Sequence, residues 1–141
     1  MPIRFRHLVP VVRVFDFPRA KQLYLDFLGS TIDGEEQADP GGPRCMEISR
    51  GGMVLHLSSH HGDRTPGAKL YIEMAGLKQF HRQVISKGYR FWRPGIKKTA
   101  WGTTTMEVGD PFGNRLLFSE RLKPVGKSAR KKQKPAKRSR A

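Results

Sequence analysis

At 141 residues the chain has room for one domain, or for two small modules that share a core. Its single cysteine, Cys45, excludes an intrachain disulfide, and no apolar run approaches the length of a membrane span. Of the formal net charge of +15, residues 123–141 supply nine Lys or Arg without an acidic or aromatic residue, which leaves +6 for the remainder. A segment of that composition buries too little apolar surface to offset the entropy of ordering. The chain therefore divides into a domain at 1–122 and a disordered basic tail at 123–141. With no apolar signal-peptide stretch at its start, a cytoplasmic protein without membrane contact is expected.

The run Leu8-Val9-Pro10-Val11-Val12-Arg13-Val14 is of strand length. Asp16 is a suitable N-cap for a helix with Pro18 in its first turn; Ala20, Leu23, Tyr24, Phe27 and Leu28 recur at helical spacing, and Gly29 suits the stop. Strands are expected near 30–36, 44–50 and 53–59, with Gly51-Gly52 as a tight turn between the last two. Cys45, in the second of them, reads as a small buried hydrophobe rather than a reactive thiol. The pattern then restarts. Lys69 to Met74 alternates as a strand, and Leu77, Phe80, His81, Val84 and Ile85 mark an amphipathic helix ending at Lys87-Gly88. Short strands are expected near 89–93, 103–109 and 114–120. Placing Leu23, Phe27 and Leu28 over Phe80, Val84 and Ile85 gives a repeat offset of about 57 residues, hence two βαβββ modules. Neither could shield its sheet alone.

Between the last two strands, Asp110-Pro111-Phe112-Gly113-Asn114 is a turn in which proline presets one backbone angle and Gly and Asn tolerate the left-handed region. This hairpin, running from Trp101 to Phe118, resembles the final hairpin of the vicinal oxygen chelate superfamily, which holds glyoxalase I, extradiol dioxygenases and bleomycin-resistance proteins. Val9-Pro10-Val11 through Asp16, followed by Ala20, Tyr24 and Phe27-Leu28-Gly29, is similar to the first strand and helix of the glyoxalase and bleomycin-resistance family. Leu55-His56-Leu57-Ser58 resembles one of its later strands. The likeness spans about residues 5–121. It implies an α+β fold of two βαβββ modules, at about 5–60 and 66–121, and a homodimer whose clefts are built from both chains.

Metal-using relatives carry four ligands facing one concave surface. The resemblance places those positions at Val9, His56, Lys69 and Leu117. Valine and leucine cannot coordinate, and a lysine ammonium repels a cation, so three ligands are lost where a catalytic ion needs at least three. No metal, no cofactor and no catalysis are expected. Against this stands a rearranged site of His7, His56 and either His60 or His61; hydrogen-bonded or solvated histidines are the plainer reading. His81, on a helix, is expected to pack or to be half exposed.

If Val9 and His56 face the concavity, strand alternation adds Val11, Arg13, Ser58, Tyr71, Glu73, Thr103, Thr105 and Leu117, with Trp101, Glu107 and Lys69 on or beside the same surface. The ligand-binding candidates are thus Trp101, His56, Tyr71, Glu73, Arg13, Ser58, Thr103, Thr105, Glu107 and Lys69. Such a wall suits a sizeable aromatic-polar ligand. Trp101-Gly102 is similar to the Trp-Gly that precedes the same turn in bleomycin-resistance proteins, where the tryptophan helps to hold the flat part of the drug. The resemblance implies sequestration of a bleomycin-like antibiotic; the alternative for Trp101 is hairpin packing. Charge pulls the other way, because a cationic drug calls for an acidic cleft. Asp33, Glu35, Glu36 and Asp39 could rim the pocket and restore the match. Two other classes compete: a metal-dependent glyoxalase-type lyase or fosfomycin-type transferase, and a nucleic-acid-associated protein making weak, nonspecific contact through residues 123–141.

Overall fold

The structure is a computed structural model that describes residues 2–122. Everything expected of the basic segment 123–141 lies outside them. Strand β1 (Val11–Arg13) leads into helix α1 (Phe17–Lys21), which continues as a π-helical segment, Gln22–Phe27. Strands β2 (Thr31–Glu36), β3 (Cys45–Arg50) and β4 (Met53–Ser58) complete one sheet. Strand β5 (Lys69–Glu73), helix α2 (Leu77–Ser86), and strands β6 (Ile96–Lys98), β7 (Thr103–Gly109) and β8 (Arg115–Arg121) make the other. The sheets have equivalent strand orders, β1-β4-β3-β2 and β5-β8-β7-β6, with one parallel pair in each. This is the α+β repeat expected from the sequence. No helix among the described residues is long and apolar enough to cross a membrane.

Asp16 caps α1 by accepting the Arg19 N–H at 3.1 Å, and the chain leaves the helical region through Gly29 at φ 81°. Alternation then decides the faces. Val12, Met46, Ile48, Leu55 and Leu57 of the first sheet and Met106, Val108, Leu116 and Phe118 of the second are buried. They join Leu23, Tyr24 and Phe27 of the first helical stretch and Leu77, Phe80 and Val84 of α2 in a single core. Each sheet thus turns its helix-covered face inward and leaves its other face for solvent or ligand.

The modules are tied together by polar groups as well. The Tyr24 hydroxyl donates to Asp110 Oδ2 at 2.7 Å, and Asp110 Oδ1 accepts the N–H groups of Phe112 and Asn114. Asn114 Nδ2 donates to Asp110 Oδ2 and to the Arg13 carbonyl, both at 2.8 Å, while its Oδ1 accepts from Gly67 and Ala68. The Asp-Pro-Phe-Gly-Asn turn is therefore an interior junction: it joins β1, the first helix and the entry to β5. Burial, and then the adjacent Asp110 charge, pushes the Tyr24 phenol far above the usual tyrosine range.

Helix α2 begins at Gly76, in the left-handed region at φ 83°, which has no side chain with which to cap it. Glu120 from β8 takes over, accepting the Gly76 and Leu77 N–H groups at 3.0 and 2.9 Å. These two hydrogen bonds hold its carboxyl below the usual glutamate range. A lowered native pKa contributes stability well above the unfolded value of about 4.3, and that contribution is lost as pH falls through the native value. Glu120→Ala should cost about 1 kcal/mol at neutral pH, as cap removal does elsewhere. In urea titrations the difference from the parent should narrow on the acid side; an unchanged gap there would remove Glu120 from this role.

Three expectations need correction. Strand β1 covers only Val11–Arg13, and Leu8, Val9 and Pro10 lie outside it; pairing ends where Pro10, lacking an N–H, contributes only its carbonyl to the His56 N–H. Residues 89–93 form no strand, because Tyr89 and Trp92 fold back on Phe27, with ring centroids 5.5 and 5.4 Å away, and the strand starts later, at Ile96. Cys45 is only half-buried, since it alternates with core-facing Met46 and takes the outer face of β3; burial and nearby carboxylates push its thiol up.

Candidate functional site

The helix-free face of the second sheet carries most of the candidate residues. Register aligns Lys69 with Arg115, Tyr71 with Leu117, and Glu73 with Ser119. Across the next ladder Thr103 stands opposite Arg121, Thr105 opposite Ser119, and Glu107 opposite Leu117. At one end of this face is a cavity of about 780 Å³ walled by Tyr71, Glu73, Trp101, Thr103, Ser119 and Arg121, among others. That volume lies within the range of small-molecule sites.

Trp101 stands on the wall 76% exposed, and Tyr71 is 56% exposed. The turn places the indole there: Gly102, at φ 87°, bends the chain into β7, and its carbonyl accepts the Leu122 N–H. Hairpin packing is thus not what occupies Trp101. The Tyr71 hydroxyl donates to Ser119 Oγ at 2.9 Å, which fixes the ring against the sheet. Thr103 Oγ1 and Thr99 Oγ1 share a hydrogen bond of 2.6 Å. Among the described residues, the Tyr71 and Thr103 hydroxyls are thus engaged, and Ser119 Oγ, which accepts from Tyr71, keeps its own O–H to donate. Glu73, Arg121 and the Trp101 indole N–H are likewise left to address a ligand. Arg121 and Arg115 were absent from the sequence-derived set, although both share the parity of Leu117; Arg121 lies one residue past the expected strand end.

The remaining candidates are distributed differently. Thr105 and Glu107 lie on the same face outside the cavity walls, and Glu107 pairs with Arg115 at 3.7 Å. Lys69, Tyr71 and Glu73 also line a second, larger groove of about 940 Å³ between β5 and the β3–β4 hairpin, together with Leu8, Pro10 and Met53–Leu55. Arg13, His56 and Ser58 belong to the outer face of the first sheet and line neither space. The Arg13 guanidinium stacks 4.7 Å from the Phe15 ring centroid. Ser58 Oγ donates to Asp63 Oδ2 at 2.7 Å. His56 Nε2 lies 3.6 Å from Glu47 Oε1, a neighbour that the sequence did not suggest because it comes from the adjacent strand. Asp33, Glu35 and Glu36 sit on β2, the outermost strand of the first sheet, and neither they nor Asp39 line the Trp101 cavity.

The four positions that the resemblance makes metal ligands are spread over both sheets. Val9 precedes β1, His56 is on the first sheet, and Lys69 and Leu117 are on the second. His7 is exposed ahead of β1, His61 is exposed, and the His60 N–H donates to Ser58 Oγ. Among the described residues, no three His, Cys, Asp or Glu side chains gather closely enough to hold a metal. His81 Nε2 lies 2.9 Å from the Pro94 carbonyl, linking α2 to the following segment.

Comparison with curated proteins gives no match. Solved structures match well. A bleomycin-binding protein in complex with bleomycin superimposes with a TM-score of 0.64 at 23% identity, covering 83% of this chain and 99% of that one. A bleomycin resistance determinant encoded on the transposon Tn5 gives 0.64 at 22%, covering 83% and 98%. TnmS3, an antibiotic binding protein from Streptomyces sp. CB03234, gives 0.63 at 20%, covering 85% and 99%. At these identities the likeness establishes the fold. The family described as glyoxalase superfamily protein matches residues 1–124, which include every described residue, and the chain belongs to that superfamily.

Proposed function

We propose that this protein binds and sequesters a bulky aromatic-polar small molecule without metal and without catalysis, conferring resistance as bleomycin-binding proteins do; a bleomycin-like glycopeptide antibiotic is one candidate ligand. The observation that carries the reading is Trp101, which is held on a cavity wall with most of its surface exposed beside a Tyr71 ring fixed by Ser119. An indole in that position offers a stacking platform at low entropic cost. Bleomycin-binding and antibiotic-binding proteins among the structural neighbours support the same class of ligand.

The site is completed by a second copy. Ile3, Phe5 and Leu8 are 88, 96 and 87% exposed, and β5 and Met53–Leu55 border an apolar groove with sheet edges available for pairing. Docking there would cover Leu8 and the free edge of β5.

Two measurements test the proposal. Calorimetric titration with copper-free bleomycin and a panel of anionic aromatic compounds should give saturable binding to at least one of them. Elemental analysis of gently purified protein should find no stoichiometric zinc, nickel, iron or manganese. A full complement of any of these metals would overturn the metal-free reading, and no binding across the panel would overturn sequestration.

A further inference from the structure

The walls of the Trp101 cavity carry one acid, Glu73, and one base, Arg121, and the sheet face around it is net basic. In the register of the second sheet, Lys69, Lys97, Arg115 and Arg121 share its helix-free face with only Glu73 and Glu107. Glu107 is already paired with Arg115. Among the described residues, Lys69, Lys97 and Arg121 have no carboxylate within ion-pair distance, so their charges remain to be answered. The acidic stretch that might have reversed the balance is on β2, the far strand of the other sheet. Potential over such a surface favours an anion approaching it.

Resting on the binding reading above, we infer that the site selects a planar aromatic anion: a ring that stacks on Trp101 and carries a carboxylate, sulfonate or phosphate answered by Arg121. The Tyr71 hydroxyl is spent on Ser119 and that of Thr103 is engaged with Thr99, so among the lining hydroxyls the Ser119 O–H is the one left to assist Arg121. The Arg121 guanidinium offers a planar fork of N–H donors to such an oxyanion, which a lysine could not reproduce. Glu73, on the same cavity wall, accepts a hydrogen bond from an O–H or N–H elsewhere on the ligand and repels a second acid group placed near it. A cationic drug of the bleomycin type would find Glu73 on the cavity wall but a net basic face around it, which ranks it below an anion of similar shape. Ligand choice therefore departs from that of the bleomycin-binding neighbours, although the fold is shared.

The test uses two probes with one ring, naphthalene-2-sulfonate and naphthalen-2-ylmethylammonium, titrated calorimetrically into the full-length protein at low and at high salt. The sulfonate should bind about tenfold or more tightly than the ammonium at low salt, and the gap should shrink as salt screens it. Arg121→Glu should abolish or reverse the preference, and the milder Arg121→Gln should reduce it. Because both variants retain residues 123–141, nonspecific attraction to that segment is held constant. Trp101→Ala should weaken both probes by a similar factor. Equal affinities, or a tighter ammonium, in the parent protein would overturn the charge assignment and leave the binding proposal standing. A preference unchanged in both Arg121 variants would overturn the role of Arg121. Failure of both probes to bind would overturn the binding reading on which the inference rests.

Discussion

Asp110→Ala should lower the stability of the protein by about 3–5 kcal/mol, read as a shift of the urea midpoint. Asp110 is 8% exposed and is a buried carboxylate only because four donors converge on it: the Tyr24 hydroxyl, the N–H groups of Phe112 and Asn114, and Asn114 Nδ2. Its removal strands donors in a region that water does not reach, and each stranded group costs its full desolvation penalty. Tyr24→Phe removes a single donor and leaves three, so it should cost about 1–2 kcal/mol. The double variant should be less than additive, since both changes act on one network. A loss below about 1 kcal/mol for Asp110→Ala would mean that apolar contact alone holds the two modules together.

Trp101→Ala should behave in the opposite manner. With 76% of its surface already in water, Trp101 contributes little to folding, and its loss should alter stability by no more than about 0.5 kcal/mol. Affinity for whichever aromatic ligand the titrations identify should fall by about 1–3 kcal/mol, the usual cost of truncating an aromatic anchor. Trp92 provides the control. Its ring packs 5.4 Å from both Phe27 and Tyr89, so Trp92→Ala should destabilise the fold while leaving affinity in the folded fraction unchanged. If Trp101→Ala unfolds the protein and spares binding, the two tryptophans have been assigned the wrong way round.

Alternation along the strands and spacing along the helices were enough to place α1, α2, seven strands and the repeat, because each element has one face that must be buried. The failures have local causes. Leu8 and Val9 look like strand residues, yet Pro10 donates no hydrogen bond, and the described residues offer no continuation of pairing upstream of Val11. Tyr89 and Trp92 mimic a strand because aromatic residues favour sheets, whereas here they close over Phe27. For the site, parity correctly put Tyr71, Glu73, Thr103 and Thr105 on one face. The same parity holds Arg115 and Arg121. What parity cannot convey is which faces meet: Arg13, His56 and Ser58 have the right parity within their own sheet, but lie on a different surface of the chain from Trp101.

The opposed faces of each sheet also separate two kinds of selective constraint. Core residues such as Leu116 and Phe118 alternate with Arg115, Leu117 and Ser119 on the same strand, so what holds β8 in place and what a ligand meets are written in interleaved positions. Changes at the exposed Arg115 and Arg121 should cost little in folding, whatever they do to the proposed binding, and changes at the even-numbered core positions Leu116 and Phe118 should do the reverse. Such a sheet can drift from one ligand to another through single substitutions without passing through unfolded intermediates. That freedom is consistent with a backbone shared with TnmS3 at only 20% identity.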